Sequence, residues 1–199
     1  MALKNPALDG RAARAERTRD AVVDALLELI ENGQLQPPAQ LVAERAGVSL
    51  RIVYHHFEDQ ARLFAVAAAR HSEKVLSDIA PLPTDGPLEA RLDAFVDQRA
   101  RLYQRIFNMR RAARLIEHTV PLVGDTLALV RAYKREMAAQ LFARELDPLP
   151  PGVRKDRLAA LGAVTSLNTW ESLRAHQGLS VEDARRVWRR LIACVLKEE

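Results

Sequence analysis

The chain of 199 residues contains a single cysteine, no long hydrophobic run and no excess of charge large enough to identify a partner. One cysteine, Cys194, excludes a disulfide within the chain, and the N-terminal residues lack the apolar core of a secretory signal. The longest stretch without a charged residue or histidine, Leu158 to Trp170, has 13 residues, against the ~20 that a membrane-spanning helix needs. We therefore expect a protein of the reducing cytoplasm that does not enter a membrane.

Sequence signatures of catalysis are also missing. The chain has no His-Glu-x-x-His or Glu-x-x-His pair, no glycine-rich phosphate loop, and no second cysteine that would complete a metal site. His55 and His56 are adjacent, so on a helix their side chains point about 100° apart and do not readily share one metal ion. We expect neither an enzyme nor a bound cofactor or metal.

The composition that is present favours helices. Alanine, leucine and arginine dominate, strand-like alternation is scarce, and glycine and proline occur at a few breaks. We predict an all-α protein of about nine helices, with apolar residues spaced three and four apart. The predicted helices cover residues 11–32, 38–47, 49–55, 59–80, 88–107, 110–118, 122–146, 153–176 and 181–197, with Asn108 as one of the breaks.

Residues 39–58 have the pattern of residue sizes that a helix-turn-helix requires. Ala43 is small where two helices cross closely, Gly47 can adopt a positive φ at the turn, and Val53 can pack the second helix inward. Ser49 is placed to cap that second helix and Asp59 the next one. The same glycine turn also occurs in ordinary helical bundles, so this pattern alone leaves both interpretations open.

The surface of the second helix favours the interpretation as a DNA-binding element. From Gly47 to Phe57 the sequence has one arginine, two histidines, one tyrosine and no carboxylate. We expect the exposed face to carry Leu50, Arg51, Tyr54 and His55, and a helix of this kind can enter a DNA major groove.

The run VAERAGVSLRIVYHHFEDQARLF, residues 42–64, resembles the N-terminal signature of the TetR/AcrR family of transcriptional regulators. The layout of the whole chain is similar to that family as well. The resemblance implies a helix-turn-helix DNA-binding domain over residues 1–58, a connecting helix over 59–80, and a helical regulatory and dimerisation domain over 81–199. It further implies a homodimer that binds a double-stranded DNA operator and is a repressor released by a small-molecule effector.

The resemblance also implies roles for individual residues at the DNA. Ser49 would cap the recognition helix and contact a phosphate, and Leu50 and Arg51 would face base edges. Tyr54 and His56 would contact the DNA backbone, and His55 would do either. Arginine is the commonest specific reader of a base, because its guanidinium binds both guanine O6 and N7.

Three positions depart from the family pattern. Gln60 occupies a DNA-facing position where the family usually has a lysine, which removes one phosphate charge. Pro37 and Pro38 replace the usual threonines, so a hydroxyl contact from the start of the second helix is lost. The alternative function is therefore a helical interaction protein in which DNA binding is weakened or lost.

The resemblance assigns two tasks to residues 81–199, namely dimerisation and effector binding. Dimerisation would use the last two helices, where Ala159, Ala160, Gly162, Ala163 and Ser166 provide small side chains and the apolar stripe Ala184, Val187, Trp188, Leu191, Ile192 and Val195 follows. The candidate effector-binding residues combine aromatic and cationic groups, and they are Tyr103, Phe107, Arg110, Arg114, His118 and Trp170. The alternative is that the aromatic members belong to the core and the arginines to a solvated face.

Overall fold

A computed structural model describes residues 6–197, and over this range it contains helices and no strand. The all-α prediction is confirmed. The predicted domains 1–58 and 81–199 also include the first five and last two residues, which lie outside the described range. The helices are α1 (Pro6–Glu31), α2 (Ala39–Ala46), α3 (Leu50–Phe57), α4 (Gln60–Ser77), α5 (Leu88–Ile116), α6 (Pro121–Leu141), α7 (Ala143–Leu146), α8 (Pro151–Val164), α9 (Leu167–Glu171) with a π-helical turn at Ser172–His176, and α10 (Val181–Lys197).

The chain divides into two compact units. Unit one comprises the described residues up to Asp78 together with 107–127, and unit two comprises 79–106 together with the described residues from 128 onward. Helix α5 is continuous, and its last ten residues, 107–116, belong to unit one. No helix among residues 6–197 is long and apolar enough to cross a membrane.

The core of unit one forms around α1 and the helix-turn-helix. Val22, Leu26 and Ile30 recur along α1 at spacings of four and are fully buried, because they lie on one face of the helix. They pack with Val53 and Phe57, the two buried residues of α3. This packing places the opposite face of α3 at the surface.

Unit two has a core of aromatic side chains held by hydrogen bonds to the backbone. The rings of Trp170 and Trp188 lie 5.2 Å apart, and Tyr103 lies 5.6 Å from Trp188. The Tyr103 hydroxyl donates to the Thr165 carbonyl at 2.7 Å, so the polar end of this buried ring has a partner. Close ring packing and a satisfied hydroxyl are typical of a rigid core.

Four predicted helices are joined or interrupted in the structure. The predicted break at Asn108 is wrong, because α5 continues through it and the Asn108 side chain instead donates to the Glu31 carbonyl at 2.9 Å. The predicted helix 122–146 is interrupted at Phe142, next to a Leu141 carbonyl that accepts a hydrogen bond from buried Arg91.

The predicted helix 153–176 is also interrupted. It leaves the helical conformation at Ser166, whose hydroxyl accepts from the Thr169 N–H and begins α9 as an N-cap. The remaining predicted helices agree with the structure to within a few residues, apart from α1, which begins five residues earlier than predicted.

Candidate nucleic-acid interface

The turn between α2 and α3 has the geometry that the residue sizes predict. Gly47 adopts the left-handed conformation, with φ of 68°, and its N–H bonds to carbonyls of the last turn of α2. Ala43 and Val53 are almost completely buried, at 1% and 2% exposure. The local prediction is confirmed, and its consequence is a fixed angle between the two helices.

The N-terminus of α3 is capped as the sequence predicts. Ser49 has an extended backbone, and its hydroxyl accepts a hydrogen bond from the Ile52 N–H at 3.3 Å. This cap stabilises the first turn of a helix of only eight residues, which would not persist in isolation. Helix α3 is therefore held at one end by its cap and along one side by Val53 and Phe57.

The outward face of α3 carries a compact set of groups that can recognise DNA. Arg51 and His55, which are one helical turn apart, are both exposed, and the side chain of Tyr54 between them is 44% exposed. The face thus presents a guanidinium, a phenol hydroxyl and an imidazole, and α3 has no carboxylate that would repel phosphate. Such groups donate hydrogen bonds to base edges and to phosphate oxygens.

Three of the seven residues predicted to contact DNA are partly engaged within the protein. Leu50 packs against the core of unit one, and His56 is half-buried with its ring 6.3 Å from that of Phe57. The Gln60 amide donates to the Pro37 carbonyl at 2.8 Å. Ser49, Arg51, Tyr54 and His55 remain exposed, so these four form the accessible part of the predicted site.

Ile52 and Arg62 are two further exposed residues that sequence analysis did not name as candidate DNA contacts. Ile52 is 38% exposed beside Arg51, and an exposed apolar side chain on this face is suited to contact a thymine methyl group. The spacing of Val53 and Phe57 predicts this exposure, because residue 52 lies off their buried side. Arg62 is exposed in the first turn of α4, next in the chain to α3, where a cation can contact the DNA backbone.

Other cations near the helix-turn-helix serve the fold. Arg45 in α2 forms a double hydrogen bond with Glu28 in α1, and this contact raises the pKa of the Arg45 guanidinium. Arg19 lies over the Phe57 ring, with 5.4 Å between its Cζ and the ring centre. These contacts hold α1 against α2 and α3.

The six predicted effector-binding residues are divided between the two units. Tyr103 and Trp170 are buried in the aromatic core of unit two, whereas the other four belong to the 107–127 segment of unit one. Arg114 is exposed, and the His118 side chain is 88% exposed. Arg110 borders a small apolar pocket of about 30 Å³ between α4 and α5, which has room for little more than one water molecule.

Comparisons with known proteins find similar folds among solved structures. No family model and no curated protein matches the chain. A transcriptional regulator from Rhodococcus sp. Rha1 has a similar structure, with a TM-score of 0.63 at 22% identity, over 92% of this chain and 96% of that one.

Two further solved structures are named as TetR-family regulators. The one from Streptomyces coelicolor has a TM-score of 0.67 at 16% identity, over 89% of this chain and 80% of that one. A putative one from Mesorhizobium loti has a TM-score of 0.61 at 17% identity, over 92% and 96% of the two chains. This chain therefore has the fold of the TetR-family transcriptional regulators.

Proposed function

We propose that this protein is a sequence-specific DNA-binding transcriptional regulator, a homodimeric repressor that a small-molecule effector releases from its operator. The observation that carries the proposal is the exposed, carboxylate-free face of α3, held by a capped N-terminus and a left-handed glycine turn. A rigid helix with donors on its outward face is the element that reads a major groove. The fold shared with TetR-family regulators supports the same function.

In this function the residues of α3 divide between reading bases and holding the DNA backbone. Arg51 binds a guanine through O6 and N7, and Ile52 contacts an adjacent thymine methyl group. The hydroxyls of Ser49 and Tyr54 contact phosphates, which positions the helix without specifying sequence. His55 lies one turn from Arg51 and contacts either a base edge or the DNA backbone.

Dimerisation is proposed to use the outward faces of α8 and α10. On α10 the side chains of Leu191 and Cys194 are exposed, and those of Val187 and Val195 are half-buried, which leaves an apolar stripe at helical spacing. A two-fold dimer would present two copies of α3 to half-sites about 34–36 Å apart. The proposed function requires a dimer, since one short helix contacts too few bases to select a genomic site.

The experiment that tests the function is the selection of genomic fragments by the purified protein, followed by binding measurements with Arg51→Ala. We expect enriched fragments to share a palindromic sequence, and Arg51→Ala to weaken specific binding about 5- to 100-fold while leaving weak non-specific binding in place. Arg101→Ala is a matched control, because Arg101 is an exposed arginine of α5 in unit two, outside the helix-turn-helix. A protein that stays monomeric at micromolar concentration, or that enriches no fragment, would contradict the proposal.

The second candidate is an interaction protein without DNA binding, and the start of α2 favours it. Pro38 occupies the N-cap and makes no side-chain hydrogen bond, and the Gln60 amide is bound to Pro37. Two contacts that the family pattern supplies at this edge are therefore missing. The same selection experiment separates the candidates, because an interaction protein would enrich no DNA sequence.

A further inference from the structure

Unit two contains a cleft between α6 and α8 with cations along one wall. Arg131, Lys134 and Arg135 lie on one face of α6 at helical spacing, and all three line the cleft. Gly162 of α8 faces them, since a Cβ placed there would lie 4.0 Å from the Cγ of Arg135. The remaining lining residues include alanine and leucine side chains and two hydroxyls, and none of the described lining residues is acidic.

The size of the cleft suits a small molecule. Its volume of about 340 Å³ is near the lower end of the range of ~300–1,000 Å³ for ligand sites. Cations on one wall and apolar groups such as Ala138 and Leu158 beside them match a molecule with a negative end and a short apolar body.

Unit two also contains a buried arginine, Arg99, on α5. Arg99 is 3% exposed, and its Nη1 has no hydrogen-bond partner among the described residues. Its guanidinium lies over the Phe95 ring, with 5.4 Å between its Cζ and the ring centre. Burial lowers the pKa of Arg99, but an arginine remains charged in a protein.

Tyr103 connects Arg99 to the cleft. It follows Arg99 by one helical turn on α5, its hydroxyl donates to the backbone carbonyl of Thr165, and the Lys134 ammonium lies 4.9 Å from its ring centre. Thr165 and Lys134 both line the cleft. A buried charge without a carboxylate partner is costly, and an anion in the neighbouring cleft would lower that cost.

We propose that the cleft between α6 and α8 binds a small organic anion, a carboxylate or phosphonate with a short apolar body, through Lys134 and Arg135. Arg99 lies one helical turn from Tyr103 on α5 and adds its positive charge as a positioning residue for the anionic end. That this cleft is the effector site rests on the proposed function. That the cleft binds an anion does not depend on that function. Sequence analysis assigned Ala159, Gly162 and Ser166 of this lining to the dimer interface. It did not select the cations, although the spacing of Arg131, Lys134 and Arg135 is visible in the sequence.

Binding can be measured on the full chain without DNA. The probes are hexanoate, benzoate and hexylphosphonate, each compared with a neutral counterpart, hexanamide or benzamide. Calorimetry gives the affinity. Trp170 and Trp188 report binding by fluorescence, because Trp188 packs against Tyr103 and Trp170 packs against Trp188. We expect at least one anion to bind more tightly than about 1 mM and its amide about tenfold more weakly or not at all.

Variants test whether the cations of the cleft are responsible. Arg135→Gln and Lys134→Gln should each weaken anion binding about tenfold, and Arg135→Glu should abolish it. Ala159→Phe fills the cleft from α8 and should abolish binding without changing charge. Arg99→Met should weaken binding of the anion and leave any binding of the amide unchanged.

The control is Arg101→Gln, which removes the same charge from the exposed face of α5 and should bind the anion as the wild type does. Circular dichroism and thermal melting show that each variant is folded. Equal binding of acid and amide, no binding of any of the three anions, or unchanged binding in Arg135→Glu and Ala159→Phe would overturn the proposal. A failure to select DNA would overturn the proposed function alone, because no DNA is present in these assays.

Discussion

The side-chain amide of Gln60 donates a hydrogen bond to the backbone carbonyl of Pro37, with 2.8 Å between nitrogen and oxygen. Gln60 begins α4 and Pro37 precedes α2, so this bond joins the starts of the two helices that flank α3 in the chain. Two departures from the TetR/AcrR pattern thus meet in one contact. The bond gives Gln60 a structural role in addition to the predicted DNA contact.

Replacing Gln60 with lysine should restore a phosphate contact. A lysine side chain can still donate to the Pro37 carbonyl, and it adds a positive charge at the edge of the proposed DNA surface. For Gln60→Lys we expect tighter operator binding at low salt and a salt dependence steeper by about 0.9 in the slope of log K against log salt. Fluorescence anisotropy over a series of about 50–200 mM salt measures this slope.

Gln60→Glu is the matched control for that prediction. It adds a charge of the opposite sign, so binding should weaken and the slope should not become steeper. Equal slopes for Gln60→Lys and the wild type would show that residue 60 does not contact phosphate.

The cap of α4 should contribute measurably to the stability of unit one. The Asp59 carboxylate accepts a hydrogen bond from the Arg62 N–H at 2.7 Å, which satisfies one of the free amides at the helix start. We expect Asp59→Ala to lower the free energy of unfolding by about 1 kcal/mol in urea titrations. Asp59→Asn retains a capping oxygen and should lose less than half as much, and equal losses would show that the cap is not the cause.

Breaking the buried ion pair of unit two should be far more costly. Arg91 is 2% exposed, and it bonds Glu145 through both of its terminal nitrogens, with Nη1 2.9 Å from Oε2. Glu145→Ala leaves a buried charge without its partner, and we expect a loss of about 3–5 kcal/mol in the free energy of unfolding.

The exposed pair between Arg144 and Asp85 provides the comparison for that loss. The Asp85 side chain is 93% exposed, so Asp85→Ala should cost less than about 1 kcal/mol. The double variant Arg91→Met with Glu145→Met removes both charges and should be more stable than Glu145→Ala. Similar losses of stability for Glu145→Ala and Asp85→Ala would contradict the prediction that burial makes the Arg91–Glu145 pair the more costly one to break.

Acid should weaken the attachment of α10 to α5. Hydrogen bonds from Lys197 and Arg189 lower the pKa of Glu89 below its usual value of about 4.3, so the unfolded chain binds this proton more readily than the folded one. The stabilisation is present above about pH 4.3 and is lost as the pH falls through the lower, folded-state pKa. In Glu89→Gln the melting temperature should therefore depend less on pH in acid than in the wild type.

Glu182→Gln is the control for the acid effect, because Glu182 is an exposed carboxylate on α10. Its melting temperature should follow the wild-type pH dependence. High salt should reduce the difference between Glu89→Gln and the wild type, since these charges are exposed and screened. A pH dependence unchanged in Glu89→Gln would show that the contact does not stabilise the fold.

The parts of the site that sequence analysis predicted correctly are those that depend on near neighbours in the chain. The caps by Ser49 and Asp59 and the turn at Gly47 each involve residues within four positions, and the structure confirms all three. Their geometry follows from local backbone preferences that the residue types specify. The DNA contacts themselves stay predictions.

The breaks in the longer helices were not predictable in the same way. Asn108 is a weak helix former, yet α5 continues through it, since its side chain bonds the distant Glu31 carbonyl. The interruption at Phe142 lies beside a hydrogen bond from Arg91 to the Leu141 carbonyl, fifty positions apart in the chain. Local pattern carries no information about such partners.

From the sequence alone one can determine an all-α chain, the helix-turn-helix and the side of α3 that carries Arg51, because all three follow from short-range spacing and residue size. Only the tertiary structure decided that Gln60 is bound to Pro37, that Tyr103 and Trp170 are buried together, and that cations line a cleft between α6 and α8. These relationships depend on how helices pack, and packing brings together residues whose separation in the chain gives no sign of their contact.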